Sequence, residues 1–307
     1  MNPIPLPGRI VQAVPGFENH LRVELGSPRE LGGPFFYSPD YTGPVFWNRN
    51  IWLEPFRLEF DSIGEAARVL RGLQRNWAPV LFTRFRRGAL IQKNLPPLSV
   101  KPRPFPWLLP DSPMGGWTLL DDHTLLASAH SESPFPGGII NFEEDKQGPP
   151  SRAYLKLEEA LVRCRKWPAP GERCLDAGAS PGGWTWVLAR LGAEVLAVDR
   201  APPEDRILAL PGVGFIKHDA FTLKPEELGP RDWVFSDVVC YPPRLLGWIQ
   251  KWLDSGLCAN FVCTIKLQGE PNFDTLRGFA ALPGGKVVHL YHNKHELTWI
   301  RTAGGGP

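Results

Sequence analysis

The residues best suited to chemistry gather in the stretch Leu175-Asp-Ala-Gly-Ala-Ser-Pro-Gly-Gly-Trp184 and at Asp199, Asp219, Asp237 and Lys266. The stretch follows a short apolar run and opens into a helical pattern. Trp184, Val187, Leu188 and Leu191 fall at i, i+3, i+4 and i+7, with Gly192 placed to end the helix. It reads as strand, glycine loop, helix. Gly178, Gly182 and Gly183 let the backbone turn sharply and let a ligand approach the main chain. Asp199 follows Asp176 by 23 positions and ends the apolar run Glu194-Val-Leu-Ala-Val-Asp199, where a doubly wound sheet holds the hydroxyls of a nucleoside ribose. These residues point to a nucleoside-type cofactor across the carboxyl ends of parallel strands.

Dinucleotides use similar loops but rest a pyrophosphate on an open helix N-terminus, whereas Pro181 and the bulky Trp184 stand at that entry here. Asp176, just before the glycines, suits a ligand of positive charge. S-adenosylmethionine, with its sulfonium and ammonium groups, fits such a site. Downstream, Gly214 to Asp219, Asp232 to Asp237 and Asn260 to Lys266 read as strands. Leu245, Leu246, Ile249 and Leu253 mark a helix between the last two. The alternation predicts an α/β, Rossmann-like, mostly parallel sheet with polar groups at its strand ends. The expected cofactor-binding residues are Asp176, Gly178, Ser180, Pro181, Gly182, Gly183, Trp184, Asp199, Asp219 and Asp237. Asp219 is placed to accept from the adenine amino group, and Asp237 to face the reacting end.

Elements that must position these residues are legible on both sides. The helix opened by Ser151-Arg-Ala-Tyr-Leu-Lys156 lies just upstream of the first strand. The 307 residues are 43% apolar, enough for two domains, and a net charge of only +2 means that any nucleic-acid role needs a local basic patch. Five cysteines without a C-x-x-C point to a reduced compartment and away from a zinc site. No apolar run reaches membrane-spanning length and no signal-peptide core is visible, so a cytoplasmic protein without a membrane partner is expected.

Residues 1–95 read as a smaller α+β module. It has a short helix carrying Phe17, Leu21 and Leu25, a β-rich run from Val45 to Phe60, a helix opened by the capping box Ser62-x-x-Glu65, and a strand from Val80 to Phe85. That strand leads into Arg84, Arg86 and Arg87, then Lys93, Lys101 and Arg103, interleaved with Phe105 and Trp107. Cations and exposed rings in this mixture hold phosphates and stack unpaired bases, which makes these six the candidate RNA-binding residues. Residues 96–132 read as a proline-rich connector with a short β segment, and 133–307 as the cofactor domain.

The loop through Pro-Gly-Gly-Trp184, Ser151-Arg-Ala-Tyr-Leu-Lys156-Leu-Glu, Ser236-Asp237, the strand ending in Lys266, and His295-Glu296-Leu closely resemble the FtsJ/RlmM-type ribose 2'-O-methyltransferases. The likeness spans about residues 133 to 301. It implies a sheet closed by a C-terminal antiparallel hairpin and a Lys-Asp-Lys-Glu catalytic tetrad at Lys156, Asp237, Lys266 and Glu296. Ser133-Pro-Phe-Pro-Gly137, Leu155-Lys-Leu-Glu-Glu-Ala160 and Pro15-Gly-Phe-Glu18 are similar to the RlmM branch, which acts on a cytidine of large-subunit (23S) ribosomal RNA. That branch begins with a ferredoxin-like domain. Against it, the THUMP-type RNA-binding region is expected to be shortened or absent between roughly Leu95 and Trp117.

Such chemistry needs a base beside the ribose hydroxyl. The resemblance gives that role to Lys266, with a pKa pulled down by burial and by Lys156 against the opposition of Asp237. Lys156 is expected to orient the hydroxyl or to stabilise the alkoxide, and Asp237 and Glu296 to hold the lysines in place. Two other readings stand beside it. One is a base-modifying RNA methyltransferase, with Cys263 or Cys240 as nucleophile or Tyr241-Pro-Pro243 as an amino-methylating loop. The other is a ribosome-assembly protein that binds cofactor and RNA without catalysis.

Overall fold

The computed structural model describes residues 2–304. The chain forms two compact units, Met1–Arg103 with Leu109–Asn141 and Pro104–Leu108 with Phe142–Pro307.

In the C-terminal unit, helix α1 (Tyr154–Cys164) precedes strand β1 (Arg173–Ala177), α2 (Gly183–Arg190) and β2 (Glu194–Asp199). Then follow α3 (Asp205–Leu208), β3 (Val213–Lys217), α4 (Pro225–Leu228), β4 (Trp233–Ser236) and α5 (Pro242–Ser255). Strand β5 (Asn260–Lys266), α6 (Phe273–Ala280), β6 (Gly285–Val288) and β7 (Glu296–Arg301) complete it. The sheet order is β3-β2-β1-β4-β5-β7-β6. The first five strands run parallel, and β7 is antiparallel to both β5 and β6. Both faces are covered, so β4 and β5 are buried almost throughout and carry unbroken runs such as Phe-Val-Cys-Thr-Ile. Strand order reverses at β1 and β4, and the crevice outside such a switch point is where open α/β sheets take ligands.

Helix α1 is unusual in its burial: Lys156, Glu158 and Glu159 are enclosed along with Leu155, Leu157, Ala160 and Leu161. Charges survive there only when paired.

The N-terminal unit holds two five-stranded sheets rather than the one small module expected over residues 1–95. In the first, Arg9–Ala13 lies between Asn48–Leu53 and Phe35–Tyr37, with Arg29–Gly32 beyond the latter, all antiparallel. By chain position these four strands stand in the order 4-1-3-2, the ferredoxin-like order, with Glu18–Leu25 as the first crossover helix. The second crossover, residues 38–47, contains Pro39, Gly43 and Pro44 and forms no helix. Buried Glu24 pins it instead, accepting from the amides of Phe46 and Trp47 at 2.6 and 3.2 Å.

The second sheet corrects the boundary. Strands Gly115–Leu119 and Thr124–Ser128 sit between Phe56–Glu59 and Trp77–Pro79, so most of the expected connector belongs to this unit. The pleat explains why. Trp117, Leu119, Leu125 and Ala127 enter one core with Phe56, Leu70 and Trp77, while Leu126 faces Ile10, Phe35 and Trp52 of the first sheet. Half of the expected capping box opens Ile63–Leu73: the Ser62 hydroxyl accepts from Glu65 N–H at 3.2 Å, while the Glu65 carboxylate reaches past Ser62 and accepts from Asp61 N–H at 2.9 Å. The strand expected from Val80 to Phe85 is replaced by Trp77–Pro79 and a helix over Phe85–Lys93. Val80, Leu81 and Phe82 point into the two cores, and Arg84 turns the chain in the left-handed region. No described helix is long and apolar enough to cross a membrane.

Candidate active site

Four side chains from α1, the end of β4, the end of β5 and the start of β7 form a closed ring. Lys156 Nζ donates to both oxygens of Asp237, at 2.9 and 2.7 Å, and lies 3.1 Å from Glu296 Oε1. Lys266 Nζ lies 2.6 Å from Asp237 Oδ1 and donates to Glu296 Oε2 at 2.6 Å. Local rules deliver each member. Lys156 is on the first turn of a buried helix, Asp237 directly follows β4, and the antiparallel register sets Lys266 opposite Glu296 as a cross-strand pair. The side chains are 9 to 17% exposed, so two cations and two anions share a nearly dry space with no net charge.

Burial by itself pushes the Lys266 ammonium towards a lower pKa, but Asp237 and Glu296 outweigh it and the pKa is raised. The lowered value expected from the sequence is thereby reversed. Burial likewise pushes the Asp237 carboxyl up, and Lys156 and Lys266 outweigh it and hold it below its usual value. At rest the ring consists of charged pairs.

The glycine loop lies beside it. Asp176, on β1, is 1% exposed; one oxygen accepts from Thr185 Oγ1 at 2.6 Å, and the other, Oδ1, is buried without a partner. Burial raises its pKa to about 7 despite the Thr185 hydrogen bond, with Asp237 and Asp199 adding to the rise. A cationic ligand would stabilise its ionised form. Gly178 has φ 85°, and a Cβ there would come within 2.4 Å of Val238, so this position requires glycine. Asp199 ties the loop to β2, its carboxylate accepting from Ser180 N–H at 3.0 Å and Ala201 N–H at 3.1 Å. Pro181 is exposed and its carbonyl accepts from Glu204 N–H. Gly182 and Gly183 begin α2.

Trp184 is turned inward, 3% exposed, edge-on to Phe235, with Nε1 donating to the Ala153 carbonyl; the ring braces α1 against α2. Asp219 is engaged by Arg200 and Arg244, which outweigh its partial burial and hold its pKa at about 2.

Glu159 is a buried carboxylate beside the ring that sequence reading missed. Fully buried, it accepts from the amides of Tyr291 and His292 at 2.8 and 3.0 Å and from His292 Nδ1 at 2.8 Å, and pairs with Arg163 at 2.9 Å. It stands one helical turn after Lys156 and grips the turn leading to Glu296, so it fixes the spacing between two ring members. A signal was present in the charged doublet Glu158-Glu159 within an apolar helix. Burial would raise its pKa, yet Arg163 and the His292 and Tyr291 hydrogen bonds lower it from 4.5 to about 2. The stability it supplies is therefore present above its unfolded value near 4.5 and lost as pH falls through about 2. Glu159→Gln should unfold more easily by about 3 kcal/mol at pH 7. In urea titrations the gap from wild type should narrow progressively below pH 4.5; an equal gap at pH 7 and pH 3 would contradict it.

The basic residues divide. Arg86 and Lys93 are exposed on the helix Phe85–Lys93, and Lys101 and Arg103 on the proline-rich stretch. Arg84 pairs with Asp122 at 3.1 Å, and Arg87 lies over the Phe60 ring at 5.5 Å. The rings of Phe105 and Trp107 are half-buried and pack against Trp167 and Phe142. Cys263 is wholly buried within β5 and Cys240 is 8% exposed, and burial raises both thiol pKa values.

A model of FtsJ-like methyltransferases matches residues 149–289, which contain Lys156, the glycine loop, Asp237 and Lys266. The ribosomal RNA large subunit methyltransferase M of Xanthomonas campestris pv. campestris strain B100 is 31% identical over 261 residues, covering 78% of this chain and 70% of that one. The chain belongs to this methyltransferase family. A second relative of that name, from Xanthomonas axonopodis pv. citri strain 306, is 32% identical over 76% of this chain and 68% of its own. The fibrillarin of Aeropyrum pernix, solved with natively bound S-adenosyl-L-methionine, superposes with a TM-score of 0.37 at 22% identity, covering 48% of this chain and 74% of that one. The protein is an S-adenosylmethionine-dependent RNA methyltransferase. The buried, unpartnered Asp176 oxygen at the mouth of the loop fits a cofactor bearing positive charge.

Proposed function

We propose that this methyltransferase acts on a ribose 2'-hydroxyl of large-subunit ribosomal RNA, at a cytidine. The observation that carries the reading is the closed ring of Lys156, Asp237, Lys266 and Glu296 beside the glycine loop. S-adenosylmethionine, held by Asp176, Asp199, Asp219 and the glycine loop, supplies an electrophilic methyl group. The relatives' name supports ribosomal RNA as the substrate.

A ribose hydroxyl must give up its proton as it becomes a nucleophile. Lys266 serves as the acceptor once it has released its own proton. Lys156, still charged and bonded to Asp237 and Glu296, steadies the oxygen that gains negative charge. The two carboxylates keep both amines at fixed positions, so the contribution of alignment is built before the RNA arrives. Arg86, Lys93, Lys101 and Arg103, with Arg84 and Arg87, make the N-terminal phosphate-binding surface.

The test is transfer from labelled cofactor to ribosomal RNA lacking its native modifications, followed by nuclease digestion and nucleoside mass spectrometry. The expected product is 2'-O-methylcytidine. A nucleoside methylated on its base would overturn the reading.

A further inference from the structure

Beyond the ends of β4 and β5 lies a cavity of about 210 Å³ between the chain that leaves Asp237, the chain that leaves Lys266, and α6. Its walls include Tyr241, Pro242, Leu267 and Leu276, with the side-chain amides of Gln268 and Asn272 among the polar groups. The pairing is one of flat apolar surface and edge-reading groups. Val239 and Tyr241 are 75 and 68% exposed, although the neighbouring ring members are nearly buried. Two consecutive prolines restrict the backbone at and directly after Tyr241, at the start of α5, so the point from which its ring projects is held.

Resting on the ribose 2'-hydroxyl reading, we propose that this cavity receives the nucleobase of the methylated nucleotide, stacked on Tyr241 with its edge towards Gln268. The covalent geometry of a nucleotide supports the assignment. A 2'-oxygen is three bonds from its glycosidic nitrogen, so the base of a ribose held at Lys266 lies within a residue or two of that lysine. The cavity wall begins there, with Leu267 and Gln268 following Lys266 in sequence. Aromatic faces hold unpaired bases with little regard to sequence, and amides read their edges. Asn272 Oδ1 already caps α6 by accepting from Thr275 N–H, which leaves its amino group for a ligand.

The site is tested with wild type, Tyr241→Phe, Tyr241→Ala and Thr275→Trp, the last filling the cavity from its α6 wall. Two RNAs are used: the one carrying the nucleotide that wild type methylates, and the same RNA with that nucleotide's base removed. On the intact RNA, Tyr241→Ala and Thr275→Trp should lower kcat/KM for 2'-O-methylation by roughly tenfold to a hundredfold, while Tyr241→Phe stays near wild type. Cofactor dissociation constants, from titration calorimetry, should not move. On the abasic RNA the difference between wild type and Tyr241→Ala should vanish, an outcome that mere damage to the fold would not produce. The proposal is overturned if Tyr241→Ala and Thr275→Trp match wild type, if the Tyr241→Ala defect persists on abasic RNA, or if cofactor affinity falls instead. A base-methylated product from wild type would overturn the ribose reading, and the proposal with it. A 2'-O-methylated product that is indifferent to the cavity would overturn the proposal alone.

Discussion

Lys266→Ala should lower kcat for methyl transfer by about 10²- to 10⁴-fold, with cofactor and RNA affinity held within a few-fold of wild type. The loss is large because the ribose hydroxyl meets its proposed proton acceptor at this amine. The fold should persist with reduced stability: Lys156 still contacts both Asp237 and Glu296, but one negative charge of the ring loses its matching cation. The same geometry fixes the pH dependence. Asp237 and Glu296 overcome the effect of burial and raise the Lys266 pKa above the ordinary lysine value of about 10.5. Below that pKa, the neutral fraction grows about tenfold per pH unit. Single-turnover rates for wild type should therefore climb with a slope near one in log rate from about pH 7 to 9, with no plateau, and the residual rate of Lys266→Ala should be flat. A wild-type plateau below pH 8, or a variant with undiminished rate, would exclude Lys266 as the base.

What the sequence discloses depends on whether the determinant is local. The glycine loop is legible because its properties belong to a few adjacent residues: Asp176 before the turn, glycines where the backbone bends, an apolar stripe after it. Strand β5 runs from Asn260 to Lys266, the span its apolar run indicates, so the lysine at its end was identifiable. Closure of the ring was a different matter. It depends on the β5–β7 register that sets Lys266 opposite Glu296, and a slip of one residue would send Glu296 to the other face. The sign of the Lys266 shift was lost for a related reason. One carboxylate against burial and a second lysine leaves the sign open, whereas Asp237 and Glu296 together decide it.

In the N-terminal unit the strands are two to six residues long and find partners far away, as Phe56–Glu59 does with Thr124–Ser128. Short strands with remote partners leave no periodicity to read. The result was one expected sheet in place of two, and an arginine cluster assigned to a strand that belongs to the start of a helix. Glu159 escaped because its partners lie more than 130 residues downstream.

Asp237→Asn should change both the stability of the protein and the pH dependence of its rate. Asp237 separates two ammonium groups, taking both oxygens to Lys156 and one to Lys266. An amide of the same shape still offers one oxygen, but the charge that offsets two nearly buried cations falls to Glu296 alone. Removing one partner from a buried ion pair costs about 3–5 kcal/mol, and the partial exposure of this ring places the effect near the lower figure. One lysine should therefore give up its proton, and Lys266, which is more exposed than Lys156 but has lost one of its two carboxylates, is the one whose proposed work requires that. Two consequences oppose each other. A neutral Lys266 forms at lower pH, which favours proton transfer, while the amines lose the anchor that aligned them, which slows it. Alignment is the larger effect, because misplacement of about 1 Å can cost on the order of 10²-fold. Asp237→Asn should thus show a lower maximal rate than wild type together with a pH–rate profile whose rising limb is displaced to lower pH. Denaturant unfolding at pH 7 measures the first expectation, and single-turnover methylation from pH 6 to 10 measures the second. A displaced limb with lost stability would establish that Asp237 both sets the Lys266 pKa and holds the ring together; an unmoved limb would mean that a group other than Lys266 governs the proton.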